Sequence, residues 1–213
     1  MSLDEQYTAI HNWIKARPIS ESSAILKAKA DIVASFDTKT AIQVGSTLPS
    51  FTLPSATGTQ ISSASLLSKG PLLITFYRGS WCPFCNLALR SFQSILPKMQ
   101  SNGVTFIAIS PELPDTSLST VEKQQLEFTV LSDVGNAFAE QLGILYRQPE
   151  ELRGVFEGLG TDLRRRNGDD SFVLPVPLTI LVDGRGVVRN VHVEPDYFVR
   201  LDPEVTLGWI EEL

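Results

Sequence analysis

The chain contains two cysteines, and they stand three residues apart in the segment Cys82-Pro83-Phe84-Cys85. In the first turn of a helix, residues i and i+3 lie on the same face, so the two sulfur atoms can meet. One thiolate can then attack a substrate to give a mixed disulfide or a sulfenic acid, and the second can resolve that product within the chain. The spacing therefore predicts thiol redox chemistry at Cys82 and Cys85.

Other roles for a cysteine pair are less consistent with the sequence. A structural zinc site needs four ligands at recognisable spacings, and the only histidines, His11 and His192, do not form a second ligand pair. A Cys-His hydrolase would need a base close to its nucleophile, and two histidines offer little choice. Two inert core cysteines remain an alternative, but a position between a strand and a helix favours redox activity. No metal is expected.

The elements on either side of the cysteines predict how they are positioned. Cys82 follows an apolar run typical of a buried strand, residues 71–77, and a helical pattern begins at Pro83. Free N–H groups and the helix dipole favour a thiolate there, and such positions lower a thiol pKa from about 8.5. Pro83 suits the first turn, because its missing N–H is not needed. We expect Trp81 to flank the site, and Ser80 either to hydrogen-bond a thiolate or to cap the helix.

The rest of the chain predicts an α/β protein. Apolar residues at spacings of three and four indicate two helices within residues 3–36, and a short hairpin is expected within residues 51–62. Beyond the hairpin, strands alternate with helices, and the last two strands, joined by an Asp-Gly turn, are expected to pair antiparallel. We therefore predict a central mixed sheet flanked by helices in residues 44–213, preceded by a helical extension in residues 1–43.

Composition and charge narrow the class of protein. Of the 213 residues, 43% are hydrophobic and 20% are charged, which is enough to bury a core. The net charge of -6 argues against a nucleic-acid-binding protein. The basic run at residues 164–166 is flanked by acidic residues and is expected to be a solvated loop. No apolar run is long enough for a membrane span, and the first residues do not resemble a secretory signal, so we expect a cytoplasmic protein.

Several segments resemble the alkyl hydroperoxide reductase/thiol-specific antioxidant (AhpC/TSA) family, a peroxiredoxin-like branch of the thioredoxin-fold superfamily. Besides the segment Trp81-Cys82-Pro83-Phe84-Cys85, the resemblance is carried by GSTLPSFTLP at 45–54, LSD at 131–133, FAEQLGI at 138–144, VPLTILVD at 176–183 and PDYFVR at 195–200. The resemblance implies a thioredoxin-like fold over residues 44–213, hydroperoxide reduction, no cofactor besides the cysteine pair, and an external thiol reductant.

The active-site motif departs from the peroxiredoxin pattern Pro-x-x-x-Thr-x-x-Cys. On this chain Cys85 takes the position of the peroxidatic cysteine, Cys82 replaces the threonine and Arg78 replaces the proline. The arginine that steadies the thiolate in the family would fall near Pro177 and is missing. Thioredoxin-like enzymes instead place a cis-proline opposite their cysteines, and the Pro177 bond is expected to be cis for that reason.

Three arginines are candidates to supply the missing positive charge: Arg78, Arg147 and Arg200. The order of attack is left open by the sequence, because the family alignment favours Cys85 whereas helix dipole and expected exposure favour Cys82.

The predicted function is that of a thiol-dependent oxidoreductase, most consistent with hydroperoxide reduction and an antioxidant role. The alternatives are a thioredoxin-like reductase of protein or small-molecule disulfides, and a redox-sensing binding module. The expected partners are a hydroperoxide or disulfide substrate and a thioredoxin- or glutathione-type reductant, without nucleic acid or membrane. The exposed half of the N-terminal helices makes a homodimer plausible.

Overall fold

The computed structural model describes residues 2–213, apart from the side chain of Lys123. Its strands are, in chain order, β1 (Thr52–Pro54), β2 (Gln60–Ser62), β3 (Leu72–Phe76), β4 (Thr105–Ser110), β5 (Thr129–Ser132), β6 (Leu145–Arg147), β7 (Val173–Pro175), β8 (Leu178–Val182) and β9 (Val188–Val193). Its helices are α1 (Leu3–Lys15), α2 (Ile19–Ser35), α3 (Ser63–Leu67), α4 (Pro83–Ser101), α5 (Pro114–Gln124), α6 (Ala137–Gln141), α7 (Glu151–Gly158), α8 (Leu163–Asn167) and α9 (Pro203–Glu211).

A five-stranded mixed sheet forms the centre of the protein, in the order β5-β4-β3-β8-β9. β3 pairs parallel with β4, and β4 pairs parallel with β5, whereas β3 pairs antiparallel with β8 and β8 with β9. Every residue of β3 and β8 is buried, which explains why both strands are nearly continuous apolar runs. This sheet, flanked by helices, confirms the predicted fold class.

The two helices predicted within residues 3–36 are α1 and α2, and these residues are called the N-terminal extension. A capping box starts α1: the Ser2 hydroxyl accepts from the Glu5 N–H, and the Glu5 carboxylate accepts from the Ser2 N–H. In α2 the buried positions Ile25, Ala28 and Ile32 follow the three-and-four spacing of a helix face. The extension packs on the rest of the molecule, with α1 against α4 and α2 against α7.

Three segments have local structure that the sequence analysis did not give. Between β5 and α6, Gly135 and Asn136 have φ of 78° and 62°, so no regular α-helix forms there and α6 starts only after them. The basic run at 164–166 lies in α8 rather than in a loop. The sequence analysis did not predict the antiparallel pair β6–β7, whose two strands lie on either side of the segment that contains α7 and α8. Among the residues that the structure describes, no helix combines the length and apolar character needed to cross a bilayer.

Candidate active site

The two cysteines lie where the central strand β3 passes into helix α4. β3 ends at Phe76, and Cys82 is the N-cap residue of α4, with an extended backbone (φ -86°, ψ 113°). Pro83 occupies the first turn, where its lack of an N–H removes no hydrogen bond. Cys85 lies on the same turn, and both its side chain and its backbone hydrogen-bond Cys82. The strand–helix junction therefore brings the two sulfur atoms together.

Both cysteines are buried, which corrects the expectation that Cys82 is the more exposed of the two. Each is 1% exposed. The rings of Tyr197 and Phe198 lie near them, and Phe198 stacks on Phe84 at 4.6 Å between ring centroids. Tyr197 and Phe198 are far from Cys82 in sequence, so the burial of the cysteines could not be deduced from the segment around Cys82.

Two guanidinium groups approach the cysteine sulfurs. Arg78 Nη1 lies 3.9 Å from Cys82 Sγ. Arg200 Nη2 lies 3.2 Å from Cys85 Sγ and 4.0 Å from Cys82 Sγ, and its Nη1 donates to the carbonyl oxygens of Tyr197 and Val199. No described carboxylate is within salt-bridge distance of either arginine. Since a buried charge needs a partner, a cysteine thiolate is the natural counter-ion of both groups.

This environment gives the two cysteines opposite protonation behaviour. Burial disfavours a thiolate at Cys82, but the hydrogen bond from Cys85 and the charges of Arg78 and Arg200 outweigh it and lower the pKa of Cys82 well below its ordinary value. Burial, the hydrogen bond to Cys82 and the charge of Cys82 together hold the pKa of the Cys85 thiol well above its usual range. These directions favour the negative charge of the pair on Cys82 and the proton on Cys85.

The third candidate arginine does not reach the cysteines. Arg147 lies in β6, and its guanidinium donates to the carbonyl oxygen of Ser171 at the surface. The side chains of β6 alternate between faces. Tyr146, its neighbour, is the one that approaches the site, with its ring stacked 6.5 Å from that of Tyr197.

Ser80 was expected either to hydrogen-bond a thiolate or to cap the helix, and it does neither. Its N–H donates to Glu112 Oε2 at 2.8 Å, and its hydroxyl donates to Glu112 Oε1 at 2.9 Å. Cys82 rather than Ser80 is the N-cap of α4. Ser80 therefore anchors the loop before the cysteines and neither caps the helix nor bonds a sulfur.

Glu112 and Arg166 complete this anchor, and both were missed by the sequence analysis. Glu112 follows β4 and is fully buried, and Arg166 of α8 donates to its carboxylate at 3.3 Å and to the Ser80 hydroxyl at 3.2 Å. Burial raises the pKa of Glu112, against the effect of its hydrogen bonds from Ser80 and Arg166. The sequence did hold one signal for Glu112: it is an acidic residue two positions after the end of β4, a buried strand that pairs with β3. The expectation of a solvated basic run was wrong for Arg166.

Trp81 flanks the site as expected. Pro177 also lies close to the cysteines, but its peptide bond is trans rather than cis. The half-buried Trp81 ring lies 4.7 Å from the Arg78 guanidinium and 5.0 Å from the Phe156 ring. Pro177 lines a small cavity together with Cys85 and Arg200. The described residues include no cis peptide bond, so the predicted cis-proline was wrong. The chain runs from β7 through Pro177 into β8, and backbone hydrogen bonds flank this point: the Val176 N–H donates to the Ile144 carbonyl oxygen, and the Pro177 carbonyl oxygen accepts from the Glu194 N–H.

An apolar chamber of about 500 Å³ opens on Cys82. Cys82 and Arg78 are among its lining residues, and most of the others are aromatic and aliphatic side chains, several of them from α1 and α7. Within the described part of the chain, no group of three or more histidine, cysteine or acidic side chains is placed to hold a metal ion. The arrangement has the features of a thiol redox site: a stabilised thiolate, an adjacent thiol and a cavity for a reactant.

Comparison with known proteins identifies the family. The sequence profile of the AhpC/TSA family matches residues 44–191. The chain therefore belongs to the AhpC/TSA family.

Similar proteins include peroxiredoxins from plants and bacteria. The chain is 30% identical to the chloroplastic peroxiredoxin Q of Sedum lineare over 124 residues, which cover 58% of this chain and 64% of that protein. It is 23% identical to peroxiredoxin Bcp of Escherichia coli (strain K12) over 171 residues, or 80% of this chain and 97% of that one.

Solved structures show the same fold. Peroxidoxin BcpB of Mycobacterium tuberculosis aligns with a TM-score of 0.63 at 20% identity, covering 81% of this chain and 98% of that chain. A cysteine-to-serine mutant of Xylella fastidiosa PrxQ aligns with a TM-score of 0.64 at 14% identity, covering 80% and 96%. These alignments place the fold among thioredoxin-like peroxiredoxin structures.

Proposed function

We propose that the protein is a thiol-dependent peroxidase in which Cys82 attacks and Cys85 resolves. The observation that carries the proposal is the Cys82 thiolate, hydrogen-bonded by Cys85 and approached by Arg78 and Arg200. Its similarity to peroxiredoxins supports a hydroperoxide as the substrate.

The reaction balances with two electrons from the cysteine pair. The Cys82 thiolate attacks the terminal oxygen of a hydroperoxide ROOH, the O–O bond breaks, and the leaving RO⁻ takes a proton to become ROH. Cys82 is now a sulfenic acid. The Cys85 sulfur attacks the Cys82 sulfur, the thiol proton and the sulfenic OH leave as water, and a disulfide forms.

The site contributes to each step. The Arg78 and Arg200 guanidinium groups stabilise the attacking thiolate and can donate to the oxygen that develops negative charge. Cys85 is already hydrogen-bonded to Cys82, so the second step needs little movement. A thioredoxin- or glutathione-type thiol outside the chain would reduce the disulfide, with no cofactor other than the cysteine pair. A cytoplasmic location and a homodimer stay predictions.

The disulfide-reductase alternative is less well supported. A protein disulfide would have to reach a sulfur that is 1% exposed, whereas a hydroperoxide is small enough to enter the chamber that Cys82 lines. The Cys-Pro-Phe-Cys motif is the feature in its favour.

The test is the second-order rate of hydroperoxide with the fully reduced protein, followed by stopped-flow tryptophan fluorescence with Trp81 as a nearby probe. We expect a rate far above that of a free thiol with the same thiolate fraction. Cys85→Ser should keep the fast phase and accumulate a sulfenic acid that dimedone labels at Cys82, and Cys82→Ser should lose the fast phase. A wild-type rate no better than a free thiol would overturn the proposal, and insulin reduction without peroxide consumption would favour the disulfide reductase.

A further inference from the structure

His192 of β9 belongs to a row of three polar residues across the central sheet. β3, β8 and β9 pair so that Thr75, Thr179 and His192 stand opposite one another in neighbouring strands. Residues paired in this way share one face of a sheet, and the Thr75 and Thr179 hydroxyls are 3.0 Å apart. All three residues line the small cavity that Cys85 of α4 also lines. The sheet thus brings a polar row to the cavity beside the resolving cysteine.

The imidazole of His192 has an unused nitrogen. Its Nε2 atom is buried and has no hydrogen-bond partner within the described part of the chain, although the residue as a whole is only partly buried. Buried polar atoms without a partner are rare in folded proteins, and an ordered water molecule is one of the partners they take. The cavity has a volume of about 20 Å³, which is enough for one water molecule.

The resolving step requires a proton acceptor near Cys85. In the reduced protein the Cys85 side chain hydrogen-bonds Cys82, and burial raises the pKa of the Cys85 thiol. Once Cys82 is a sulfenic acid its negative charge is gone, whereas Arg200, with Nη2 3.2 Å from Cys85 Sγ, favours a thiolate at Cys85. Because Cys85 is 1% exposed, its proton needs a route to solvent through the protein.

His192 is the residue of the cavity that is suited to accept this proton. Besides Cys85 and His192, the described lining residues with ionisable side chains are Tyr77, Glu194 and Arg200. Burial raises the pKa of Tyr77, Arg200 is a permanent cation, and the Glu194 carboxylate already accepts from a backbone N–H. Burial and the charge of Arg200 lower the pKa of His192, against the effect of Glu194, so the imidazole is neutral at pH 7 and can take up a proton.

We propose that His192 accepts the Cys85 proton, through one water molecule in the cavity, when Cys85 attacks the Cys82 sulfenic acid. The Cys85 S–H bond breaks and the S–S bond forms, while the S–O bond of Cys82 breaks and the leaving hydroxide takes a proton from solvent to become water. His192 then returns its proton to solvent, so the sum stays one disulfide and one water. The proposal rests on the peroxidase function proposed above and assigns the proton acceptor of its second step.

The experiment follows a single turnover of hydrogen peroxide in the wild type and in His192→Gln, which cannot titrate. Samples are quenched with acid and analysed by mass spectrometry, so that sulfenic acid and disulfide are counted separately. We expect sulfenic acid to form within about twofold of the wild-type rate, which also shows that the variant is folded. Its conversion to the disulfide should be slower by about a hundredfold, as is typical when a proton acceptor is lost.

The pH profile distinguishes a proton acceptor from a residue that only supports the structure. In the wild type the conversion should become faster with pH up to the pKa of His192 and then level off, because the neutral imidazole is the acceptor. In His192→Gln the rate should keep rising above about pH 7, because hydroxide must then remove the Cys85 proton.

Asn190→Ala is the matched control. Asn190 is a polar residue two positions earlier in β9 and is outside the described cavity lining, so both steps should stay within about twofold of wild type. An unchanged conversion rate in His192→Gln, or a slower one whose profile still levels off as in the wild type, would overturn this inference and leave the peroxidase intact. A wild-type first step no faster than that of a free thiol would instead remove the proposed function itself.

Discussion

The sulfur of Cys82, the buried guanidinium of Arg78 and the partly exposed guanidinium of Arg200 form a charge cluster without a described carboxylate. Arg78 is held between the rings of Tyr197, 3.7 Å from its centroid, and Trp81. Such cation–π contacts stabilise a guanidinium away from water but leave its charge uncompensated. The thiolate compensates this charge, so the reactive form of Cys82 is also the form that stabilises the buried Arg78.

Removal of one guanidinium should make Cys82 less acidic. In Arg200→Met we expect the pKa of Cys82 to rise by about one unit or more, because an opposite charge about 4 Å from the sulfur is lost. The measurement is the pH dependence of alkylation by iodoacetamide, run in a Cys85→Ser background so that one thiol is followed.

Loss of the Arg200 charge should shift the alkylation curve of Cys82 to higher pH. Cys82 is unreactive as a thiol below its pKa and reactive as a thiolate above it, and in the Cys85→Ser parent the charges of Arg78 and Arg200 still act to lower that pKa. The curve for Arg200→Met should lie at higher pH. Arg147→Met, in which the removed guanidinium bonds Ser171 at the surface, should overlay the parent curve. Coincident curves for Arg200→Met and the parent would contradict the assigned role.

The loop between β3 and α4 is anchored by two elements that do not adjoin it in sequence. Glu112 reaches it from the end of β4, and Arg166 reaches it from α8. Gly79 in this loop has a φ of 142°, and a Cβ there would contact the Trp81 ring and Glu112. Glycine is thus required for the loop to pass between Trp81 and its anchor.

Removing the carboxylate should loosen the loop and destabilise the protein. Glu112→Ala leaves the Ser80 N–H and hydroxyl without their acceptor, and each lost bond to a buried charged group is worth about 1.5–3 kcal/mol. We expect the free energy of unfolding in urea to fall by about 3 kcal/mol.

Glu122→Ala, an exposed acidic residue of α5, is the control and should change the free energy of unfolding by no more than about 0.5 kcal/mol. A stability of Glu112→Ala equal to that of the control would show that the anchor contributes nothing.

At the scale of the whole molecule, the N-terminal extension and the sheet domain share one core. Ile25 and Ile32 of α2 belong to the same buried cluster as the central strands. Lys29 of α2 pairs with Asp196 at 2.6 Å, and the Tyr197 hydroxyl donates to the Ile25 carbonyl oxygen. The extension is therefore part of the structure that encloses the cysteines.

A shared core predicts a single unfolding transition. Ile32→Ala removes a side chain that is 6% exposed and should lower the free energy of unfolding by about 2–4 kcal/mol. Circular dichroism and tryptophan fluorescence should report the same midpoint in both wild type and variant.

Val33→Ala tests the neighbouring position on the exposed face of α2 and should have an effect below about 0.5 kcal/mol. Two separate transitions, with the extension melting first, would refute the shared core.

Local sequence was sufficient for much of the architecture. The apolar run of β3, the three-and-four pattern of α4 and the two helices of the extension were predicted because each depends on neighbours a few residues away. The prediction that Cys82 and Cys85 share the first turn of a helix rests on the same local geometry. The family, too, was predicted from motifs along residues 44–213, and the AhpC/TSA match confirms it.

What lies around the cysteines depended on contacts between distant parts of the chain. Arg200 reaches Cys82 from 118 positions away, and Arg166 reaches Ser80 from 86. The burial of Cys82 and the choice of Arg200 over Arg147 have the same origin. Helical and strand patterns depend on spacing within a few residues, whereas burial and charge pairing depend on which segments the fold packs against each other.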